Sequence, residues 1–182
     1  MRIVAGAYRS RTIQPVPGNT TRPTTDKIKE AIFSRIGPYF DGGQMLDLFA
    51  GSGNMGLEAI SRGMNEVWFC DSNVRAIQII KANANSLGCE AQCHFMKADY
   101  RMMLKRMAQE QRCFSLIYLD PPYRKQRIDE ILSFLSEHSL LAEEGSVIAE
   151  SLREDEFSSQ YGEITKCKEA IYGITKITYY KR

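Results

Sequence analysis

The sequence has no long apolar run. Nothing in it approaches the ~18 residues of a membrane-spanning helix. The opening residues, "MRIVAGAYRSR", carry basic side chains without a long apolar core, so neither a signal peptide nor a membrane anchor is expected. Disulfide patterning is missing as well. The five cysteines, Cys70, Cys89, Cys93, Cys113 and Cys167, are odd in number and scattered. That usage fits reduced thiols and predicts a cytoplasmic protein. Cys89, Cys93 and His94 lie close together, but no second Cys/His pair follows at zinc spacing, so no metal is expected. Internal repeats and low-complexity segments are absent. A length of 182 residues favours one domain with at most a small appendage, and suffices for a proper core.

The composition that remains, 43% hydrophobic and 25% charged, is that of a soluble globular chain. Its charge is unevenly spread. The formal net charge is +2, yet residues 1–36 hold seven basic side chains against two acidic ones, a local +5, leaving −3 for the rest. A basic arm on a mildly acidic body fits either a solvated surface or a polyanionic partner.

Residues 1–16 read as two short strands around Gly6-Ala7, and "PGNTTRPTTD" reads as a loop. Pro23 to Asp26 form a helix start, and the helix that follows places Ile28, Ala31, Ile32 and Ile36 on one face. From residue 44 strands and helices alternate: "QMLDLF", "GNMGLEAISRG", "NEVWFCD", a helix over 73–87, "AQCHFMKAD", "YRMMLKRMAQ", "CFSLIYLD", "RIDEILSFLSE" and "GSVIAES". Two alternating strands around Tyr172-Gly173 close the chain. The pattern predicts a parallel sheet covered by helices, with an antiparallel edge. The expected boundary lies at residues 37–43, separating an arm and helix (1–36) from the main domain (37–182).

"LDLFAGSGNMG" is a strand, then G-x-G-x-x-G over Gly51–Gly56, then a helix. An acid that accepts from ribose hydroxyls belongs about 20 residues on; Asp71 ends the next strand there. The alternative is a tight turn and an unrelated strand-ending acid. A dinucleotide and S-adenosylmethionine both carry an adenosine diol, and Asp47 helps to choose between them. Its carboxylate, inside the first strand, suits the ammonium of a methionine moiety and offers a pyrophosphate nothing. Asp99 and Tyr100 end the third strand, where an acid can accept from the adenine amino group. Phe49, Ser52, Gly53, Gly56 and Ser72 complete the expected cofactor set.

"LIYLDPPY" ends a fourth strand on Asp120-Pro121-Pro122-Tyr123. A turn would explain that ending. So would a clamp for an exocyclic amine on a nucleobase. The prolines fix φ and stiffen the loop. The Asp120 carboxylate and Pro121 carbonyl can each accept one amine hydrogen, and Tyr123 can stack on the base, worth ~1–3 kcal/mol in single-stranded contacts. Positioning would then carry most of the rate, with Asp120 taking the proton or passing it to water.

Together, "DLFAGSGNMG" and "DPPY" resemble S-adenosylmethionine-dependent amino-methyltransferases acting on nucleic-acid bases. More narrowly, "MRIVAGAYRSRTI", "TRPTTDKIKEAIFSRI", "LDLFAGSGNMGLEAISRG", "LIYLDPPY" and "YGITKITYY" resemble the RsmD-type family, from Met1 to the closing hairpin. That resemblance implies an α/β fold of the Rossmann-like class I methyltransferase type. Its expected form is a mostly parallel seven-stranded sheet with an antiparallel C-terminal hairpin, preceded by a small N-terminal β-hairpin arm and helix. It implies S-adenosylmethionine at Asp47, Gly51, Gly53, Asp71 and Asp99, and methylation of guanine N2 in 16S ribosomal RNA at Asp120–Tyr123. The ribose acid is Asp71 where similar proteins often carry Glu. Arg2, Arg9, Arg11, Arg22 and Thr24 are then the expected RNA contacts, which set affinity and register without reading sequence. The expected partner is 16S ribosomal RNA or a 30S assembly intermediate, met by a monomer. Methylation of adenine N6, cytosine N4 or a protein glutamine, and a non-catalytic nucleotide-binding module, are the alternatives. The length leaves no separate target-recognition domain, which weighs against a sequence-specific DNA enzyme.

Overall fold

Apolar runs make three parallel strands in the first half of the chain: β1 (Gln44–Asp47), β2 (Glu66–Asp71) and β3 (Cys93–Lys97), in the order β3-β2-β1. The structure, a computed structural model, describes residues 1–17, 25–122 and 127–182. These strands lie in the first of two compact units, Met1–Tyr100; the second is Arg101–Arg182. Helix α1 (Asp26–Ile36) precedes the strands of the first unit, and α2 (Asn54–Ser61) and α3 (Val74–Leu87) join them. In α3 the expected stripe Ala76, Ile77, Ile80, Ala84 and Leu87 is buried. The Asn73 side chain caps its start by accepting from the Arg75 N–H, and Gly88 at φ 77° ends it. α4 (Tyr100–Gln109) has the bounds its periodicity predicts.

The second unit holds β4 (Phe114–Leu119), α5 (Ile128–Glu137), β5 (Leu141–Leu152), β6 (Gln160–Tyr161), β7 (Ile164–Tyr172) and β8 (Thr175–Lys181). Their order is β4-β5-β8-β7-β6. β4 and β5 run parallel, and the β7–β8 hairpin closes antiparallel onto β5. Ile117, Leu119, Val147, Ala149 and Ile177 are fully buried within this unit, each large aliphatic side chain contributing about 1.5–3 kcal/mol.

Three expectations are corrected. Eight strands occur among the described residues in place of seven, because β6, at two residues, is too short to show a period. The expected N-terminal hairpin is present but shorter than the two strands predicted: around the Arg2–Thr12 antiparallel bridge, the Ile3 N–H donates to the Arg11 carbonyl at 2.9 Å, the Ser10 N–H to the Ile3 carbonyl at 2.9 Å and the Ile13 N–H to the Met1 carbonyl at 3.1 Å. Other N–H groups of the arm go to side chains: Val4 and Ala5 to Glu58, Tyr8 to Ser61, and Gln14 to Asn83. Finally, α1 buries Lys29, Ile32 and Phe33, while Ile28, Ala31 and Ile36 are only half-buried.

Every residue of α2 is buried. Its polar side chains are tolerated because the arm satisfies them. Glu58 accepts from the Val4 and Ala5 N–H groups, Lys29 and Arg62, and Arg62 reaches on to Glu30 at 2.7 Å. Such a network is costly to break at one partner. On the sheet side α2 lies so close that a Cβ on Gly56 would come within 2.3 Å of Phe69 Cε1. Gly56→Ala is expected to lose about 1–3 kcal/mol through overpacking, read as a fall in the urea midpoint without a change in slope.

Candidate active site

The first unit gathers the expected cofactor residues at the carboxyl ends of β1, β2 and β3. The glycine loop leaves β1 and turns tightly, with the Gly53 N–H donating to the Ala50 carbonyl at 2.7 Å. Gly51 (φ 54°) and Gly53 (φ 80°) sit in the left-handed region, where a side chain is strained. A Cβ on Gly51 would meet nothing within 4 Å, so open space borders the main chain there. Asp71 is tied into the loop: its carboxylate accepts from the Gly51 N–H at 2.9 Å and the Asn73 N–H at 2.8 Å. Each oxygen keeps a further lone pair for a diol.

Asp47 is only 1% exposed and accepts from the Gly56 N–H at 3.1 Å. Burial pushes its carboxyl up to about 7; the Gly56 N–H pulls it down and the Asp71 carboxylate pushes it further up. A carboxylate so placed is stabilised by an added cation. The rings of Phe49 and Tyr100 meet at 5.5 Å, and Asp99 is exposed at the start of α4. Ser72 is exposed just after β2, and Ser52 lies between the two left-handed glycines.

In the second unit, Asp120 is half-buried directly after β4, Pro121 is buried and Pro122 exposed. β4 is pinned behind this turn. Leu119 aligns with Ala149 on β5, and Tyr118 Oη donates to Glu150 Oε2 at 2.6 Å, both side chains 3% exposed. Tyr123, Arg22 and Thr24 lie outside the described residues. Of the other expected RNA contacts, Arg2 pairs with Asp26 at 2.8 Å on the surface, Arg9 is exposed, and the Arg11 guanidinium donates to the Ser86 carbonyl at 2.5 Å. Arg11 therefore lies at the C-terminal end of α3, about 18 Å along that helix from Val74.

The family described as "Conserved hypothetical protein 95" matches residues 1–181. The chain belongs to this family. Bacillus subtilis YlbH is 41% identical over 182 residues, which is 100% of this chain and 99% of that one. The Escherichia coli protein named "Ribosomal RNA small subunit methyltransferase D" is 33% identical over 154 residues, 83% of this chain and 74% of its own. Among solved structures, Escherichia coli yhhF superposes with a TM-score of 0.86 at 27% identity, covering 100% of this chain and 97% of that one. The family is thus that of the RsmD-type S-adenosylmethionine-dependent methyltransferases, and this member shares their fold and is an enzyme of that type. Its residues fit the methyl donor on two observations. The loop leaves a side-chain-free cradle at Gly51, and buried Asp47 calls for a positive group such as the donor's ammonium.

Several residues that support the site have no role that the sequence alone assigns: Asn83, Lys29, Glu58 and Arg62 in the first unit, and Glu150 in the second. Glu58 and Arg62, four apart on α2, had a visible signal as a helical ion pair, but that spacing reads as a surface pair. No helix is long and apolar enough to cross a membrane, and no cluster of three or more metal-ligating side chains occurs; both statements concern the described residues. His94 stacks on Trp68 at 4.1 Å and pairs with Glu66, while the Cys93 thiol donates to the Cys89 carbonyl.

Proposed function

We propose that this enzyme methylates the exocyclic N2 amine of a guanine in 16S ribosomal RNA, acting as a monomer in the cytoplasm on an assembling 30S particle. The observation that carries the reading is the end-to-end family match over residues 1–181 in a chain that has both the glycine loop and Asp120-Pro121-Pro122. The small-subunit activity is that named for the Escherichia coli relative.

When bound, S-adenosylmethionine supplies an electrophilic methyl carbon. The chain's own residues do the rest. Asp47 faces the ammonium, Asp71 accepts from the ribose diol and Asp99 from the adenine amine. The Asp120 carboxylate and Pro121 carbonyl each accept one hydrogen of the target amine, which turns the nitrogen lone pair out of conjugation with the ring. Tyr123 stacks on the base. Once the nitrogen is methylated its proton becomes acidic, and Asp120 takes it or hands it to water. The basic arm, with Arg2, Arg9, Arg11, Arg22 and Thr24, holds the RNA backbone.

Tritiated methyl transfer to undermodified small-subunit particles, followed by mapping of the labelled base, tests this. Label on guanine N2 is the expected outcome. Label on adenine N6 or cytosine N4 would move the target to another amine, and label on protein alone would remove RNA as the substrate.

A further inference from the structure

Two buried polar side chains to which the motifs assign no role join the N-terminal arm to the glycine loop. Asn83 on α3 is 2% exposed. Its amide oxygen accepts from the Gln14 N–H at 2.8 Å, and its nitrogen donates to the Gln14 carbonyl at 3.1 Å and the Ser52 carbonyl at 3.0 Å. Lys29 on α1 is fully buried. Its ammonium donates to the Arg2 carbonyl at 2.6 Å and to Asn54 Oδ1 at 2.8 Å, and pairs with Glu58 at 3.0 Å.

Ser52 and Asn54 belong to the glycine loop, while Arg2 and Gln14 flank the turn of the arm. Each buried side chain therefore bonds the loop and arm main chain at once, Lys29 through its ammonium and Asn83 through its amide. Asn83 grips one peptide plane in particular. The Ser52 carbonyl that it holds shares a plane with the Gly53 N–H, which closes the turn onto Ala50 at 2.7 Å. Both ends of that plane are thus fixed. The neighbouring glycines have weak φ preferences of their own, so the left-handed conformations at Gly51 and Gly53 need enforcement from outside. A loop held in its binding shape before the ligand arrives loses less freedom on binding.

We propose that Asn83 and Lys29 are positioning residues for the methyl donor, setting the shape of the glycine loop through the seated N-terminal arm. This rests on the reading of that loop as the donor site. Neither residue touches the donor; both act through Ser52, Gly53 and Asn54.

The test uses the full chain with Asn83→Ala, Asn83→Ser, Lys29→Met and Lys29→Arg. Calorimetry with S-adenosylhomocysteine gives donor-site affinity, steady-state kinetics on undermodified particles give KM and kcat, and amide exchange reports on the loop. Asn83→Ala and Lys29→Met are each expected to weaken S-adenosylhomocysteine binding by about tenfold, the worth of one net hydrogen bond. KM for the donor should rise in step, with kcat at saturating donor unchanged. Protection should fall at Gly53 while the amides of β2 keep theirs. Lys29→Arg, which keeps the cation and its donors, should restore affinity. Should Asn83→Ala fail to fold, Asn83→Ser, whose shorter polar side chain reaches neither the Ser52 carbonyl nor Gln14, is read in the same way. Unchanged donor affinity in a folded variant overturns the proposal. So does a uniform loss of protection with kcat and both KM values moving together, which is the mark of a merely structural role. Failure of the unaltered enzyme to bind S-adenosylhomocysteine would instead refute the donor-site reading itself.

Discussion

Asp120→Ala is expected to lower methyl transfer to small-subunit particles by about 10²–10⁴-fold, the range for a lost positioned acid–base group. Donor affinity should stay within about twofold of wild type, because Asp120 has no proposed role at the donor. An amine nitrogen in conjugation with a purine is a weak nucleophile. Its lone pair becomes available only when both hydrogens are drawn out of the ring plane, which needs two fixed acceptors. In the proposed mechanism the Asp120 carboxylate is one, and the Pro121 carbonyl is the other. Deleting the first leaves the amine free to rotate and leaves its proton without a local acceptor, so kcat carries the loss. The backbone should not move. Asp120 follows a strand whose register is set by Leu119–Ala149 pairing and by the buried bond from Tyr118 to Glu150. Single-turnover rates at saturating donor and particles make the measurement, and a rate within twofold of wild type would remove Asp120 from the mechanism. Tyr118→Phe gives a control for indirect effects. It leaves the carboxylate in place and deletes the bond behind it, so a comparable loss would show that Asp120 matters through its placement alone.

The parts of the fold that can be read from the chain are those whose cause is local. α3 shows its five-residue apolar stripe because one face alone is buried, and the glycine loop is visible because left-handed φ and close helix packing each demand glycine. What stays hidden has causes distant in sequence. Lys29 looks like a solvated residue until Glu58, twenty-nine positions away, is brought to 3.0 Å. The outer face of α2 has the Glu58, Ser61, Arg62 spacing of a surface helix, and only the arm folded over it makes those residues buried. The same contacts explain why residues 1–16 pair only over a short antiparallel stretch around Arg2 and Thr12. Alternation there reflects Ile3 and Ile13 packing inward, and the pairing stops where the Val4, Ala5, Tyr8 and Gln14 N–H groups are taken by Glu58, Ser61 and Asn83. Asn83 carries no signal at all, since an asparagine in a helix predicts neither burial nor a main-chain partner sixty-nine residues away.

Donor binding should depend on pH through Asp47, and the sign follows from its carboxyl being pushed up to about 7 from 3.8. Without ligand, the folded chain holds a proton on Asp47 that the unfolded chain has released between those values. Stability from this group is therefore full below about pH 4 and is lost as pH rises through about 7. The shift of roughly three units corresponds to about 4 kcal/mol at most. Asp47→Asn keeps an acceptor for the Gly56 N–H and removes the buried charge, so the ligand-free variant should melt higher than wild type at pH 8 and much closer to it at pH 5. Donor affinity should move the opposite way. The ammonium favours the ionised carboxylate, against the Asp71 charge beside it, so binding below pH 7 must expel the proton. S-adenosylhomocysteine affinity in wild type is then expected to rise about tenfold per pH unit up to about 7 and to level off above it. In Asp47→Asn it should be weaker by about 10²-fold at pH 8 and nearly flat with pH. Calorimetry in two buffers of different ionisation enthalpy would count the proton released at pH 6. A wild-type affinity that is flat from pH 6 to 8, with no proton released, would mean that the ammonium is held elsewhere. A variant that is stabilised at pH 8 yet binds as tightly as wild type would separate the buried charge from the donor site altogether.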